Sequence, residues 1–264
     1  METANFPGSR KVRLLLTAAL ILLIAVLGAK PAWYVIQDLT FYWTERTETE
    51  VKVKTFAEEN GLFFAQYPKS LIELLERNPE TEEFVLQYPL RQESLPELSG
   101  FDRERVPLFL QWDPMWGYEK YGSDFLAVTG CGPTCLAMAG YYLTGSKNMN
   151  PAEIAVFAEE NGYYASGYGS SWTLISQGSA RLGLTATELP LVKKKMVDAV
   201  EAGNPVILAM GAGDFTTTGH YIVLTGVEDG QFRVNDPNSI ENSGKLWSYE
   251  QLESQIRNIW EISL

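Results

Sequence analysis

Thiol and imidazole are the side chains best suited to nucleophilic and general-base chemistry near neutral pH, and both are scarce in this chain. Cys131 and Cys135 are its cysteines, both within "TGCGPTCLAMAGYYL" (129–143), and His220 is its one histidine. A structural zinc site needs about four ligands, more than this set supplies. A Cys131–Cys135 disulfide would join positions four apart on or beside a helix, where Cβ atoms lie about 5–6 Å apart, beyond the usual bridging distance of about 4 Å. Two roles remain, core filler and nucleophile. Cys135 sits among Leu136, Ala137 and Met138, as filler does. Cys131 lies between Gly130 and Gly132, just ahead of Pro133, which suits a tight entry into a helix with proline in its first turn. There the unpaired N–H groups and the positive end of the helix dipole would stabilise negative charge on sulfur or on an oxyanion.

A thiol nucleophile needs a base, and the base needs an orienting group. His220 opens the apolar run "HYIVLTGV" directly after "GAGDFTTTG", which places its ring at the end of a sheet. "EDG" then separates this run from "QFRVND". A three-residue hairpin loop with Gly230 left-handed pairs Val227 with Gln231, and hence Ile222 with Asp236 and His220 with Asn238. Asp236 then shares a face with His220, one diagonal step of about 7 Å away. A two-residue turn moves Asp236 to the opposite face, so the assignment depends on the turn. Asn238 is the alternative orienter, and "NDPN" on its own also reads as an ordinary Asx-Pro turn.

The elements that must hold these residues alternate along the chain. "VPLFLQW" is a short extended run, followed by a Gly- and Tyr-rich loop and a nearly all-apolar, buried helix over about 132–144. Asn150, Pro151 and Glu153 open a helix that stops at Gly162, and "SSWTLISQGSARLG" and "LVKKKMVDAVEAG" read as helices closed by glycine. The lysine run at 193–195 reads as a solvated face. Strands are expected at "PVILAM", "HYIVLTGV" and "QFRVND", and Ser248 with Gln251 caps a last helix over "YEQLESQIRNIW". The resulting class is α+β, a helical half packed on an antiparallel sheet. Trp112 and Trp172, with Gly130, are the candidates for lining a substrate cleft.

Upstream, Arg10, Lys11 and Arg13 precede the uncharged run Leu14–Ala29, and Lys30, Trp33 and Tyr34 follow it. This order predicts a signal-anchor or transmembrane segment with its basic flank cytoplasmic, or else a cleaved secretory signal. Either places the body of the chain outside the cytoplasm. The expected division is 1–36 for tail and membrane segment, 37–105 for a stalk with accessory helices, and 106–264 for the main domain. Residues 44–54 read as a charged stalk or first helical turn, and Ser70 with Glu73, and Asn78 with Pro79, as starts of short helices. Residues 90–105 read as a connector. A net charge of -12 argues against a nucleic-acid partner, and 45% apolar with 20% charged residues argues for a packed globule.

"FLQWDPMWGYEKYG", "TGCGPTCLAMAGYYLTG", "TTGHYIVLTGVEDG" and "VNDPNS", in that order over about 106–260, resemble the papain-like cysteine peptidases related to double-glycine (bacteriocin) leader peptidases. The resemblance implies a papain-like fold, a peptide or protein substrate, no cofactor and no metal. It implies Cys131 as nucleophile, His220 as base, Asp236 as orienter and Gln111 as side-chain donor of the oxyanion hole. The ABC exporter that follows this domain in transporter-linked members is missing from this chain, and a membrane partner is expected only through the N-terminal helix. A cell-wall peptide amidase or transpeptidase with the same residues, and an inactive surface binding module, are the alternative readings.

Overall fold

The computed structural model describes residues 10–92, 96, 98 and 100–264. The expected tail (1–9) and parts of the expected connector lie outside the described residues. The chain divides into two compact units, one of residues 1–76 and 85–89, the other of 77–84 and 90–264.

The first unit is helical, with α1 (Arg10–Leu27), α2 (Ala29–Leu39), α3 (Glu48–Glu59) and most of α4 (Lys69–Arg77). Among the described residues no helix is long and apolar enough to cross a membrane, because the 18 residues of α1 include Arg10, Lys11 and Arg13. The expected spanning segment is therefore not supported by the structure. The charged stretch expected as a stalk is mostly helix. Thr47 and Glu50 form a reciprocal capping box for α3, and Lys54 bonds Asp38 at 2.8 Å. Lys54 is buried, so this pair is shielded from the solvent screening that weakens surface ion pairs. Helix α4 starts at Lys69, one residue before the expected cap Ser70.

The second unit is built on a six-stranded antiparallel sheet, in the order β5 (Thr185–Glu188), β10 (Ile256–Ser263), β6 (Val206–Met210), β7 (His220–Glu228), β8 (Gln231–Asn235) and β9 (Leu246–Trp247). Two short hairpins, β1 (Lys120–Tyr121) with β2 (Asp124–Phe125) and β3 (Tyr164–Ala165) with β4 (Gly169–Ser170), stand apart from it. Asn78 caps a short turn at Pro79–Thr81 that leads into α5 (Glu82–Leu86), as its sequence predicts. The other helices are α6 (Leu126–Thr129), α7 (Cys131–Thr144), α8 (Pro151–Glu160), α9 (Ser179–Arg181), α10 (Lys193–Glu201), α11 (Ile240–Ser243) and α12 (Tyr249–Glu253).

Apolar side chains cover both faces of the sheet. Ile207, Ala209, Tyr221, Val223 and Trp260 join one core with the Cys135–Ala139 stretch of α7. Val206, Leu208, Ile222, Leu224 and Phe232 join a second core with Met196, Ala199 and Val200 of α10. Strands buried on both sides need no polar face, which is why β6 and the first half of β7 read as unbroken apolar runs. Every residue of α7 from Gly132 to Tyr141 is buried, and Gly145 closes the helix in the left-handed conformation (φ 69°).

The antiparallel α+β class stands, with local corrections. The last expected helix holds only through Glu253. Its second half is β10, a central strand, so the capping box of Ser248 and Gln251 is real but the helix is one short turn and a half. "VPLFLQW" joins no strand, and its last two residues, Gln111 and Trp112, lie in a turn closed by the Asp113 N–H on the Leu110 carbonyl. The "SSWTLISQGSARLG" helix contains a wide π segment at Leu174–Gly178 ahead of α9. Lys194 pairs with Asp198 on an exposed face of α10, consistent with a solvated lysine run.

Candidate active site

The site begins with the entry to α7. Helix α6 ends at Thr129, Gly130 serves as N-cap of α7, and Cys131 is its first residue. Space sets the glycines: an added Cβ at Gly130 would strike the Leu126 carbonyl, and one at Gly132 would lie 2.5 Å from Ser170 Oγ. Cys131 is partly exposed, whereas Cys135, one turn deeper, is fully buried and has its thiol pKa pushed well up by burial. Both thiols are free, as the spacing predicts.

His220 opens β7 opposite Met210, at the end of the sheet. Its Nε2 lies 2.7 Å from Asp236 Oδ1, and the Cys131 side chain is near enough to the same ring to raise its proton affinity. With Nε2 engaged by the carboxylate, Nδ1 is the nitrogen left for sulfur. Burial works against charge on this ring, but the charge and hydrogen bond of Asp236, then the contact with Cys131, outweigh it and raise the pKa to about 10. The ring is thus held as an imidazolium between two groups that carry negative charge when ionised.

Asp236 is 1% exposed, and its oxygens are engaged. Oδ1 also accepts the Asn238 N–H at 2.9 Å, and Oδ2 accepts Asn242 Nδ2 at 2.9 Å. Asn238 does not take the orienting place: its N–H serves Asp236, and its carbonyl accepts bonds from Asn78 Nδ2 and Trp112 Nε1.

Asp236 reaches the face of His220 by a different route from the expected one. The hairpin turn has two residues, Asp229 (φ 51°) and Gly230 (φ 75°), with Glu228 opposite Gln231. Alone, that turn would put Asp236 on the far face. A bulge between Leu224 and Gly226 inserts one extra residue in β7 and restores Leu224 opposite Val234 and Val223 opposite Asn235. Positions 220, 222, 234 and 236 therefore share a face.

Gln111 is 4% exposed. Its Nε2 donates to the Ala127 carbonyl of α6 at 2.7 Å, and its backbone N–H donates to the Pro237 carbonyl at 2.7 Å. It thus links the strut before Cys131 to the loop after Asp236. Trp112, expected to face substrate, is 9% exposed and spends its indole N–H on Asn238. Trp172 is 49% exposed and sets an edge-to-face contact against Trp260.

Sequence reasoning did not single out the supporting shell. Tyr121 and Tyr221 hydroxyls bracket Ser170 at 2.7 and 3.3 Å, and burial followed by nearby charge, including that of Cys131, raises both phenol pKa values. Asn242, Asn78 and Glu80 were also missed. Asn78 carried a local signal, its cap before Pro79, but nothing local shows its second partner 160 residues away. Among the described residues no cluster of side chains could hold a metal ion.

The model of the Peptidase_C39 like family matches residues 103–263, more than half of the chain. Two solved structures are similar. One is the peptidase domain of Streptococcus ComA, a bi-functional ABC transporter involved in a quorum sensing pathway, at 19% identity and TM-score 0.42, covering 60% of this chain and 96% of that one. The other is a putative C39-like peptidase from Bacillus anthracis, at 17% identity and TM-score 0.36, covering 59% and 94%. None of the curated proteins matches the chain. By the family match across its second unit, the chain belongs to the Peptidase_C39 like family and is a cysteine peptidase.

Proposed function

We propose that the protein hydrolyses peptide bonds through Cys131, His220 and Asp236, with Gln111 and the Cys131 backbone N–H as oxyanion donors. The observation that carries this reading is the single imidazole held by Asp236 at 2.7 Å, with Cys131 near it at the head of α7. In the ion-paired state the Cys131 thiolate attacks the scissile carbonyl carbon, and the carbonyl π electrons move to oxygen. Gln111 Nε2 donates one N–H to Ala127, and its second N–H is the one we assign to that oxygen. Collapse of the intermediate breaks the C–N bond, His220 gives its proton to the departing amine, and a thioester remains on Cys131. Water then attacks the thioester with neutral His220 taking its proton, and release of the acid returns the thiolate and imidazolium. Asp236 holds the ring and favours its charged form throughout.

Trp172 is the exposed aromatic we assign to the substrate side, whereas Gly130 is buried against Leu126 and serves the chain's turn into α7. Incubating the protein with a diverse peptide library and mapping cuts by mass spectrometry tests the reading. Cuts by wild type that vanish in Cys131→Ala are expected, and identical fragment sets from the two would refute it.

The proposed setting is outside the cytoplasm, with the chain attached to a membrane by its N-terminal helices. Exposed Ile21, Leu22 and Val26 on α1 and Trp33 on α2 support attachment, since apolar side chains in such numbers are costly in water. Recovery in the membrane fraction, with the second unit open to external protease on intact cells, is the expected result. Wholly cytosolic recovery would contradict it.

A further inference from the structure

The loop that carries Asp236 is held at successive residues from outside its own strand pair. Pro237 O accepts the Gln111 N–H at 2.7 Å. Asn238 O accepts Trp112 Nε1 at 3.0 Å and Asn78 Nδ2 at 2.6 Å. Ser239 Oγ donates to Glu80 Oε1 at 2.6 Å, and the Ile240 N–H donates to Glu80 Oε2 at 2.7 Å. Asn78 and Glu80 belong to the same compact unit as the loop, yet they precede the family-matched stretch, which begins at 103.

Their side chains are fully committed. Asn78 Oδ1 caps its own turn through the Glu80 N–H at 3.1 Å, which aims the amide so that Nδ2 meets Asn238. Both oxygens of Glu80 are used on the loop, and Ser239 in turn caps α11, whose Asn242 supplies the bond to Asp236 Oδ2. A displacement at 239–240 would thus reach the carboxylate by two routes: through the backbone at Asn238, which donates to Oδ1, and through Asn242, which donates to Oδ2.

We infer that Asn78 and Glu80 are positioning residues for catalysis, a clamp from outside the family-matched domain that fixes the Asp236 loop and, through it, the His220 ring. This rests on the catalytic reading above. Hydrogen bonds to a charged group contribute more than neutral ones, so Glu80 is the stronger half of the clamp.

The test uses the one histidine of the chain, whose imidazole resonance in the full-length protein needs no assignment. The titratable groups facing the ring are Asp236 and Cys131. Loosening Asp236 should lower the proton affinity of His220. In Glu80→Ala, the imidazole protonation constant is expected to fall about tenfold, one pKa unit. On a peptide cut by wild type, kcat is expected to fall about tenfold with KM within about twofold. Glu80→Gln keeps one carbonyl oxygen for Ser239 or Ile240 and should fall between, and it replaces Glu80→Ala in both measurements if the alanine variant does not fold. An unchanged imidazole titration and unchanged kcat per titrated thiol in these variants would overturn the clamp, even with a lowered Tm. Failure of the two readings is separable: a shifted imidazole in a protein that cuts no peptide would sink the catalytic reading alone, and normal cutting with an unmoved imidazole would sink the clamp alone.

Discussion

At the scale of single residues, the site depends on a buried ring whose charge is set by its neighbours. His220 and Asp236 are 8% and 1% exposed, so their attraction is little screened by solvent. Removing the ring outright would leave a carboxylate without its partner, a change that costs about 3–5 kcal/mol in buried pairs. Glutamine is the milder probe, because its amide can still donate to Asp236 while lacking a base. The direction of pH dependence follows from the ring. Its pKa rises from 6.5 to about 10 on folding, so the folded chain holds this proton more tightly than the unfolded one. The associated stability is complete below about pH 6.5 and is lost as pH climbs toward 10. Tm of the wild type should therefore fall across that window, and calorimetry on His220→Gln should show a flatter profile. A parallel fall in both would mean that the ring does not carry the charge assigned to it. Cys131 and His220 stood out because their types are rare in the sequence; Asn242, Asn78 and Glu80 did not, because a polar side chain gives no local sign of which distant group it will meet.

At the scale of elements, the decisive feature is the register of β7 against β8. A turn of Asp229 and Gly230, both with positive φ, is the hairpin connection whose twist suits paired strands. The extra residue at the bulge then moves the pairing by one step, so two departures from the expected hairpin cancel at Asp236. The sequence contains no marker for that bulge beyond Thr225–Gly226, and a glycine there has several readings. Two variants separate the factors. Deleting Thr225 removes the bulge but leaves Leu224 opposite Val234, so cleavage should stay within about threefold of wild type. Inserting one alanine after Val234 turns Asp236 to the opposite face, and activity should drop by at least about a thousandfold. Retained activity in the insertion variant would show that Asp236 is not the orienter.

At the scale of the whole molecule, order along the chain and position in space part company. The apolar runs that became α7, β6, β7 and β8 were legible because each is locally consistent, with periodicity, caps and turn residues in agreement. Strand β10 was not: its segment follows a true capping box, and only pairing with both β5 and β6 makes Ile256–Ser263 extended. Tertiary contact overrode the local signal. The same long-range closure sets His220 on Asp236 and beside Cys131, so the reactivity of Cys131 should be a property of the folded chain. Rates of iodoacetamide labelling at neutral pH, followed by mass spectrometry, measure that reactivity at each thiol. In the folded wild type Cys131 should react at least about tenfold faster than Cys135, in denaturant the two should converge, and His220→Gln should slow folded Cys131 about tenfold. If folded Cys131 reacts at the same rate with and without the imidazole, the pairing of thiol and ring on which catalysis depends does not exist.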